Sequence, residues 1–248
     1  MSLIDNIDKT NLPSHIAVIM DGNGRWAKKK GALRIFGHKS AVTSVRETTE
    51  GCAELGIKYL TLYAFSTENW SRPADEVTAL MELLVSTIRS EIKELLKNNI
   101  RLLTIGNIKD LPENCRKELQ EAKDMTKGNT GLTVILAISY SGRWEIVEAM
   151  KKISEEVSKG TLSPDQINEK MFSEYLCTAG IPDPELLVRT SGEMRISNFL
   201  LWQIAYSEIY ITDVLWPDFR KQHLHEALIS YQKRERRFGK ISEQVNPH

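Results

Sequence analysis

Cysteine is scarce in this chain: Cys52, Cys115 and Cys177 are the three in 248 residues. An odd number so widely spaced offers neither a disulfide framework nor a zinc-type pairing, and a reducing, cytoplasmic setting is expected. Net charge is also lacking, since 33 basic residues cancel 33 acidic ones. No whole-molecule field therefore recommends a nucleic-acid partner. No apolar run approaches the ~18 residues that a membrane-spanning helix needs. The polar opening MSLIDNIDKTNLPSH reads as neither a signal nor a transit peptide. A soluble protein is expected, which leaves a greasy substrate or peripheral membrane contact open. No Pro/Gly/Ser linker or internal repeat divides the chain, so a single domain is expected.

What is present is an alternation of short apolar runs and helical patterns. Ile16–Met20, Tyr59–Phe65, Ile100–Ile105 and Leu132–Ile138 read as strands covered on both faces, because they are apolar without clean alternation. Leu186–Val188 and Ile209–Ile211 are weaker candidates. Val77, Leu80, Met81, Leu84, Ile88, Ile92, Leu95 and Leu96 follow three- and four-residue spacing, which predicts a long amphipathic helix. A second helix is expected from about Gly37 to Leu55, with a face of small apolar residues (Ala41, Val42, Val45, Cys52, Ala53). Others are expected at Glu113–Met125, Gly142–Val157, Pro164–Leu176 and Asp218–Arg237. Strand–helix alternation predicts an α/β fold with a mostly parallel central sheet flanked by helices.

Such sheets place ligands at the C-terminal ends of their strands, where this sequence puts its polar clusters. After the first strand comes VIMDGNGRW, and Gly22-x-Gly24-x-x-Ala27 fits the dinucleotide fingerprint of an NAD(P)-binding oxidoreductase. That reading wants an acid about 20 residues on, at the end of the second strand, to hold a ribose. The second strand ends near Phe65 and the first acid after it is Glu68, while the intervening stretch is basic. From Asp21 to Lys39 the chain carries Arg25, Lys28, Lys29, Lys30, Arg34 and Lys39, with His38, against Asp21 alone. A diphosphate fits better. Gly22 and Gly24 let backbone N–H groups approach an anion at a helix start, and Arg25, Arg34 and His38 add charged donors. Asp21 would repel that anion unless a divalent cation lay between them, so it points to Mg²⁺ held by a carboxylate and substrate phosphates. Arg189, Arg195 and Ser197 suggest a second anion site. Any one such loop is more often plain solvated surface; several at successive strand ends, beside a small-residue apolar face, suggest joining two isoprenoid diphosphates.

At these residues the sequence resembles the cis-prenyltransferase family, from His15 to about Gly239. The resemblance runs through HIAVIMDGNGRWAKKKG, GHKSA, LYAFSTENWSRP, SYSGRWEI, DPELLVRTSGEMRISNFLLWQIAYSEIYITDVLWPDF and RERRFG. It is strongest to bacterial members that make undecaprenyl diphosphate, the precursor of the cell-wall lipid carrier. The resemblance implies a domain over residues 15–240 between tails at 1–14 and 241–248, with a hydrophobic tunnel between the sheet and two helices. It also implies a Mg²⁺-dependent transferase that adds isopentenyl diphosphate units to farnesyl diphosphate, with Z double bonds. Asp21 is implied as the essential metal–diphosphate aspartate, and Asn69 as a second catalytic residue. Gly22, Asn23, Gly24, Arg25, Trp26, Arg34 and His38 match the allylic diphosphate pocket. Ser66, Thr67, Glu68, Trp70 and Arg72 match a loop joining the two sites, and Arg189, Arg195, Ile196 and Ser197 the isopentenyl diphosphate site. Glu208 matches an acid tied to metal handling and the dimer interface. Arg237 and Gly239 match an R-x-G motif reaching a neighbouring subunit, which implies a homodimer. Leu132 lies where the family limits product length. Met194 stands where relatives often have His, and a thioether serves Mg²⁺ poorly. The proton acceptor stays open between Asn23 and a diphosphate oxygen. A non-catalytic subunit of a heteromeric enzyme is the alternative on this fold, but such subunits usually lack an Asp21-type loop.

Overall fold

In the computed structural model, residues 3–235 are described. Six strands form one sheet: β1 (His15–Ile19), β2 (Tyr59–Ser66), β3 (Arg101–Ile105), β4 (Thr133–Tyr140), β5 (Leu186–Arg189) and β6 (Glu208–Ile211). Their order is β3-β4-β2-β1-β5-β6, and every neighbouring pair is parallel. The sheet is thus wholly parallel rather than mostly so. Seven helices flank it: α1 (Asn23–Lys29), α2 (Arg34–Leu55), α3 (Ala74–Lys97), α4 (Glu113–Thr126), α5 (Gly142–Ser158), α6 (Glu169–Glu174) and α7 (Lys221–Gln232).

The missing alternation in the strands now has its cause. Ile16, Val18, Leu60, Leu62, Leu102 and Val134 enter one core with α2, α3, α4 and α7. Their neighbours Ala17, Ile19, Ile135 and Ala137 enter a second core with Phe199, Leu200 and Ile204, on the face that Trp144 of α5 joins. Both faces of each strand are covered, so both must be apolar.

Three helix boundaries differ from the sequence expectation. Asn23–Lys29 is a helix of its own, closed by a turn at Gly31 (φ 65°), and α2 starts at Arg34. The helix expected over 164–176 splits into a 3-10 turn at Pro164–Gln166 and the short α6. Asn168 caps α6, its side chain accepting a hydrogen bond from the Met171 N–H. The last helix starts at Lys221 because Trp216–Asp218, with Pro217, forms a 3-10 turn.

This connectivity positions the site. The chain leaves β1 towards β2 on one side, whereas it leaves β5 towards β6 on the other. The crevice beyond the ends of β1 and β5 is the topological switch point, where open parallel sheets bind ligands.

Candidate active site

Asp21 follows β1 and faces the end of β5 across that crevice. Its Oδ2 accepts a hydrogen bond from the Arg189 guanidinium at 2.9 Å and lies 3.5 Å from that of Arg25, while Oδ1 accepts from the Gly22 N–H at 2.6 Å. The Thr190 hydroxyl accepts from the Asp21 N–H and donates to the Asp21 carbonyl, which fixes the backbone. Burial pushes the carboxyl up; the Arg189 and Gly22 hydrogen bonds and the charges of Arg189 and Arg25 outweigh it, holding it below the usual carboxylate range. Asp21 is therefore an anion ringed by cations at neutral pH.

Gly22 makes the turn into α1. Its φ of 104° is left-handed, and a Cβ there would stand 3.0 Å from that of Ser191. Gly37 brings α2 against the same loop, since a Cβ would fall 2.0 Å from the Asn23 carbonyl oxygen. The 7-residue α1 opens at this cleft, with Gly22, Asn23 and Gly24 in its lining. Guanidinium groups beside that loop, those of Arg34 and Arg72, add charge for an anion.

Two clefts meet at Asp21. The first, about 260 Å³, runs between the sheet and the α2–α3 pair. Asp21, Gly22, Asn23, Gly24, Arg34, His38, Asn69 and Arg72 surround its mouth, and Ala41, Val42, Val45, Leu62, Leu84, Ile88 and Leu136 line its depth. Glu76 pairs with both Arg34 and Arg72, at 3.4 and 3.0 Å, and holds the two cations side by side. Burial, then the charges of Arg72 and Arg34, lower His38 to about 4, so its imidazole is neutral when no anion is bound. Leu132 is buried in the core and does not line this cleft; Leu83, Leu84, Thr87 and Ile88 of α3 do.

The second cleft, about 430 Å³, shares Met20, Asp21, Tyr63, Asn69 and Arg72 with the first and adds Ser66, Glu68, Arg189, Ser197 and Asn198. Arg189 is its anchor: the buried guanidinium donates to the Ser197 hydroxyl at 2.7 Å, to Asp21 and to the Arg195 carbonyl. Asn198 donates to Glu68 at 2.8 Å and accepts from the Arg143 and Gly142 N–H groups, tying the loop after β5 to the turn after β2 and to α5. Ser191, Ser197, Asn198 and Leu200 all have positive φ, a costly conformation that clusters at functional loops. Asn69 caps the Thr67–Ser71 3-10 turn, its Oδ1 accepting from the Ser66 N–H at 3.0 Å.

Among the described residues seven buried side-chain polar atoms lack a partner, and four belong to these clefts: Asn23 Oδ1, His38 Nε2, Arg189 Nε and Trp216 Nε1. Unpartnered polar atoms cost stability unless something binds them. Their concentration here marks the clefts as a ligand site.

The structure does not gather every residue singled out from the sequence. Arg25 stands at the rim, bound to Ser191 and to Glu193 at 3.1 Å. Trp26 turns its indole N–H to Asp218 and Trp70 to Ser139, and neither lines the two clefts at Asp21. Thr67 lies within the 3-10 turn, and Ile196 packs against the second core. The Arg195 side chain is 64% exposed and pairs with Glu193, and Met194 is 86% exposed. Glu208 opens β6, level with Leu186 and Ile16 at the far end of the strands, and pairs with Arg234 at 2.8 Å. That places it roughly 16 Å from Asp21 at ~3.3 Å per residue, so the two acids of one chain cannot share an ion. Arg237 and Gly239 lie outside the described residues. Asn198, Thr190 and Ser191 were missed as site residues. The run of polar residues after β5 was the available signal.

Residues 19–239 match the Prenyltransf family, described as undecaprenyl diphosphate synthase. An isoprenyl transferase of Chlorobaculum tepidum is 54% identical over 94% of this chain and 88% of its own length. A ditrans,polycis-undecaprenyl-diphosphate synthase ((2E,6E)-farnesyl-diphosphate specific) of Micrococcus luteus is 52% identical over 95% of this chain and 94% of its own. Among solved structures, lavandulyl diphosphate synthase from Lavandula x intermedia, in complex with dimethylallyl diphosphate, superposes with a TM-score of 0.90. It is 40% identical, covering 92% of this chain and 99% of that one. With a family match over most of its length and this two-cleft geometry, the chain belongs to the undecaprenyl diphosphate synthase family of prenyltransferases.

Proposed function

We propose that this enzyme adds isopentenyl diphosphate repeatedly to farnesyl diphosphate, giving a long Z-polyprenyl diphosphate, undecaprenyl diphosphate. One observation carries the reading: an apolar cavity and a polar cleft open side by side on a single carboxylate ringed by arginines. The allylic substrate lays its chain between Ala41, Val45, Leu84 and Leu136, with its diphosphate against Arg34, Arg72 and His38. Isopentenyl diphosphate takes the second cleft, where Arg189 and Ser197 hold its diphosphate. His38, neutral in the free enzyme, takes up a proton as the anion arrives, since an adjacent negative charge favours the imidazolium.

The reaction breaks the allylic C–O bond, whose electron pair leaves with the diphosphate. The isopentenyl double bond supplies the pair for the new C–C bond, and loss of a proton restores a double bond. Fixed guanidinium groups lower the barrier by stabilising the charge that develops on the leaving group. Anchoring both diphosphates makes the bond formation effectively unimolecular. The unpartnered Asn23 Oδ1, on a residue lining the first cleft, can accept a hydrogen bond there, and the released proton goes to a diphosphate oxygen, the more basic group.

The donor set at Asp21 fits Mg²⁺. No group of three or more His, Cys, Asp or Glu stands ready for a metal among the described residues. An ion held by one carboxylate and substrate phosphates, as Mg²⁺ prefers, needs none. Mg²⁺ bound there would neutralise diphosphate charge. A Glu208 contribution would have to come from a second copy. Homodimerisation is supported by the edge strand β6, where Ile209 is exposed, as is Tyr206 just before it. No helix among the described residues is long and apolar enough to cross a membrane.

Incubating the pure protein with farnesyl diphosphate, labelled isopentenyl diphosphate and Mg²⁺ should give labelled undecaprenyl diphosphate. Absence of incorporation would overturn the reading.

A further inference from the structure

We infer that residues 28–39, the end of α1, the turn after it and the start of α2, are a docking surface for an anionic lipid bilayer. The inference rests on the reading above, in that a polyprenyl product has to reach a lipid phase. Leu33 is 73% and Phe36 51% exposed, and Lys28, Lys29, Lys30 and Lys39 stand exposed around them. The sequence supplies no acid between Asp21 and Lys39. Elsewhere on the surface Lys97, Lys117 and Lys151 pair with carboxylates of their own helices, Glu94, Glu121 and Glu148. Two of the four ammonium groups face rings: Lys30 lies 5.8 Å from that of Trp26 and Lys39 5.8 Å from that of Phe36. A chain with no net charge thus gathers four cations, none of them in an ion pair among the described residues, about two solvent-facing apolar side chains.

The backbone holds this edge outward. Gly31 turns with φ 65° into open space, and Leu33 is the extended residue that precedes α2. Two exposed apolar side chains set among lysines are the composition of an interfacial membrane contact: the apolar groups enter the headgroup–acyl boundary while the ammonium groups meet acidic headgroups. A second copy presenting the same face would set cation against cation. The segment after α7, KRERRFGK, is basic too and offers no complement. A soluble polyanion would leave Leu33 and Phe36 in water. A bilayer with acidic headgroups satisfies both features. Arg34 and His38, within the same stretch, line the mouth of the apolar cavity, so docking would bring that mouth to headgroup level.

The test is flotation of the full-length protein, without substrates, on phosphatidylcholine vesicles and on vesicles that also contain phosphatidylglycerol. Wild type should float with the phosphatidylglycerol vesicles and stay behind with the neutral ones. The triple substitution Lys28→Gln, Lys29→Gln, Lys30→Gln should lower the partition about a hundredfold, three headgroup-level charges being lost. Leu33→Ser with Phe36→Ser should lower it about tenfold or more. Equal binding to both vesicle types, no binding, or either variant floating like wild type would overturn the inference. So would a variant-induced change in molar mass by sedimentation equilibrium, which would make the edge a subunit interface. Prenyl transfer in detergent, read separately, should be unchanged in both variants; its absence in wild type would count against the proposed reaction and leave the flotation result standing.

Discussion

The two clefts that share Asp21 are built from different material. The apolar one is walled by regular elements, α2, α3, β2 and β4, each giving a side chain at its natural period. The polar one rests on the loop after β5, where Ser191, Ser197, Asn198 and Leu200 hold positive φ and long-range hydrogen bonds replace periodicity. A greasy chain needs volume and a smooth wall, which packed helices supply. A diphosphate needs donors aimed at one point, and irregular backbone can aim them where a helix cannot.

The contrast can be broken first where the clefts join. Asp21→Ala should lower turnover about a thousandfold or more, with far-UV circular dichroism unchanged; near-native turnover in folded protein would remove Asp21 from the chemistry. Arg189→Lys keeps the charge but loses the fork, so the KM for isopentenyl diphosphate should rise about 10- to 100-fold while that for farnesyl diphosphate moves little. An equal rise in both would mean that the clefts do not divide the substrates. Ala41→Leu narrows only the apolar cleft. Its products should be shorter, with both KM values within about twofold of wild type, and an unchanged product distribution would place the growing chain elsewhere.

The smallest expected effect concerns two histidines. Burial sets His15 to about 4, and its ring nitrogens contact the Pro182 carbonyl and Thr61 hydroxyl at 2.6 and 2.7 Å. His38 is also lowered to about 4, by burial and two arginines. Both are depressed, so the stability that depends on their neutrality is intact above about pH 6.5, the unfolded value, and is lost as pH falls from there towards 4. Farnesyl diphosphate should raise the titration of His38 alone, read by NMR of the imidazole ring. A matching rise at His15, at the opposite end of β1, would mean that the shift does not report the anion.

The same contrast explains what was legible in the sequence. The α3 stripe and the doubly covered β1–β4 could be read because period reports burial directly. The small residues Ala41, Val42, Val45, Cys52 and Ala53 announced a spacious face, and the first three of these five line the cleft. The loop residues were a different matter. Trp26 and Trp70 adjoin Arg25 and Asn69 in sequence, but their indoles bond to Asp218 and Ser139, away from the clefts. Asn198 follows Ser197, yet its bridge to Glu68 spans 130 positions, and no local pattern encodes it. Asp21 itself was found by elimination: an acid before two glycines and among cations made sense only with a second charge.

The Asp21–Arg189 contact spans 168 positions, and this has a consequence for biosynthesis. Strand β1 emerges early, but its neighbour β5 is made after nearly three-quarters of the chain, so the central pairing of the sheet must wait. Such non-local pairing slows folding and leaves strand edges exposed meanwhile. A nascent chain stopped before Arg189 has Asp21 without its guanidinium partner and no second cleft. Acquisition of activity during refolding should therefore track closure of the β1–β5 pair, and nothing shorter can serve as an early assay of this fold.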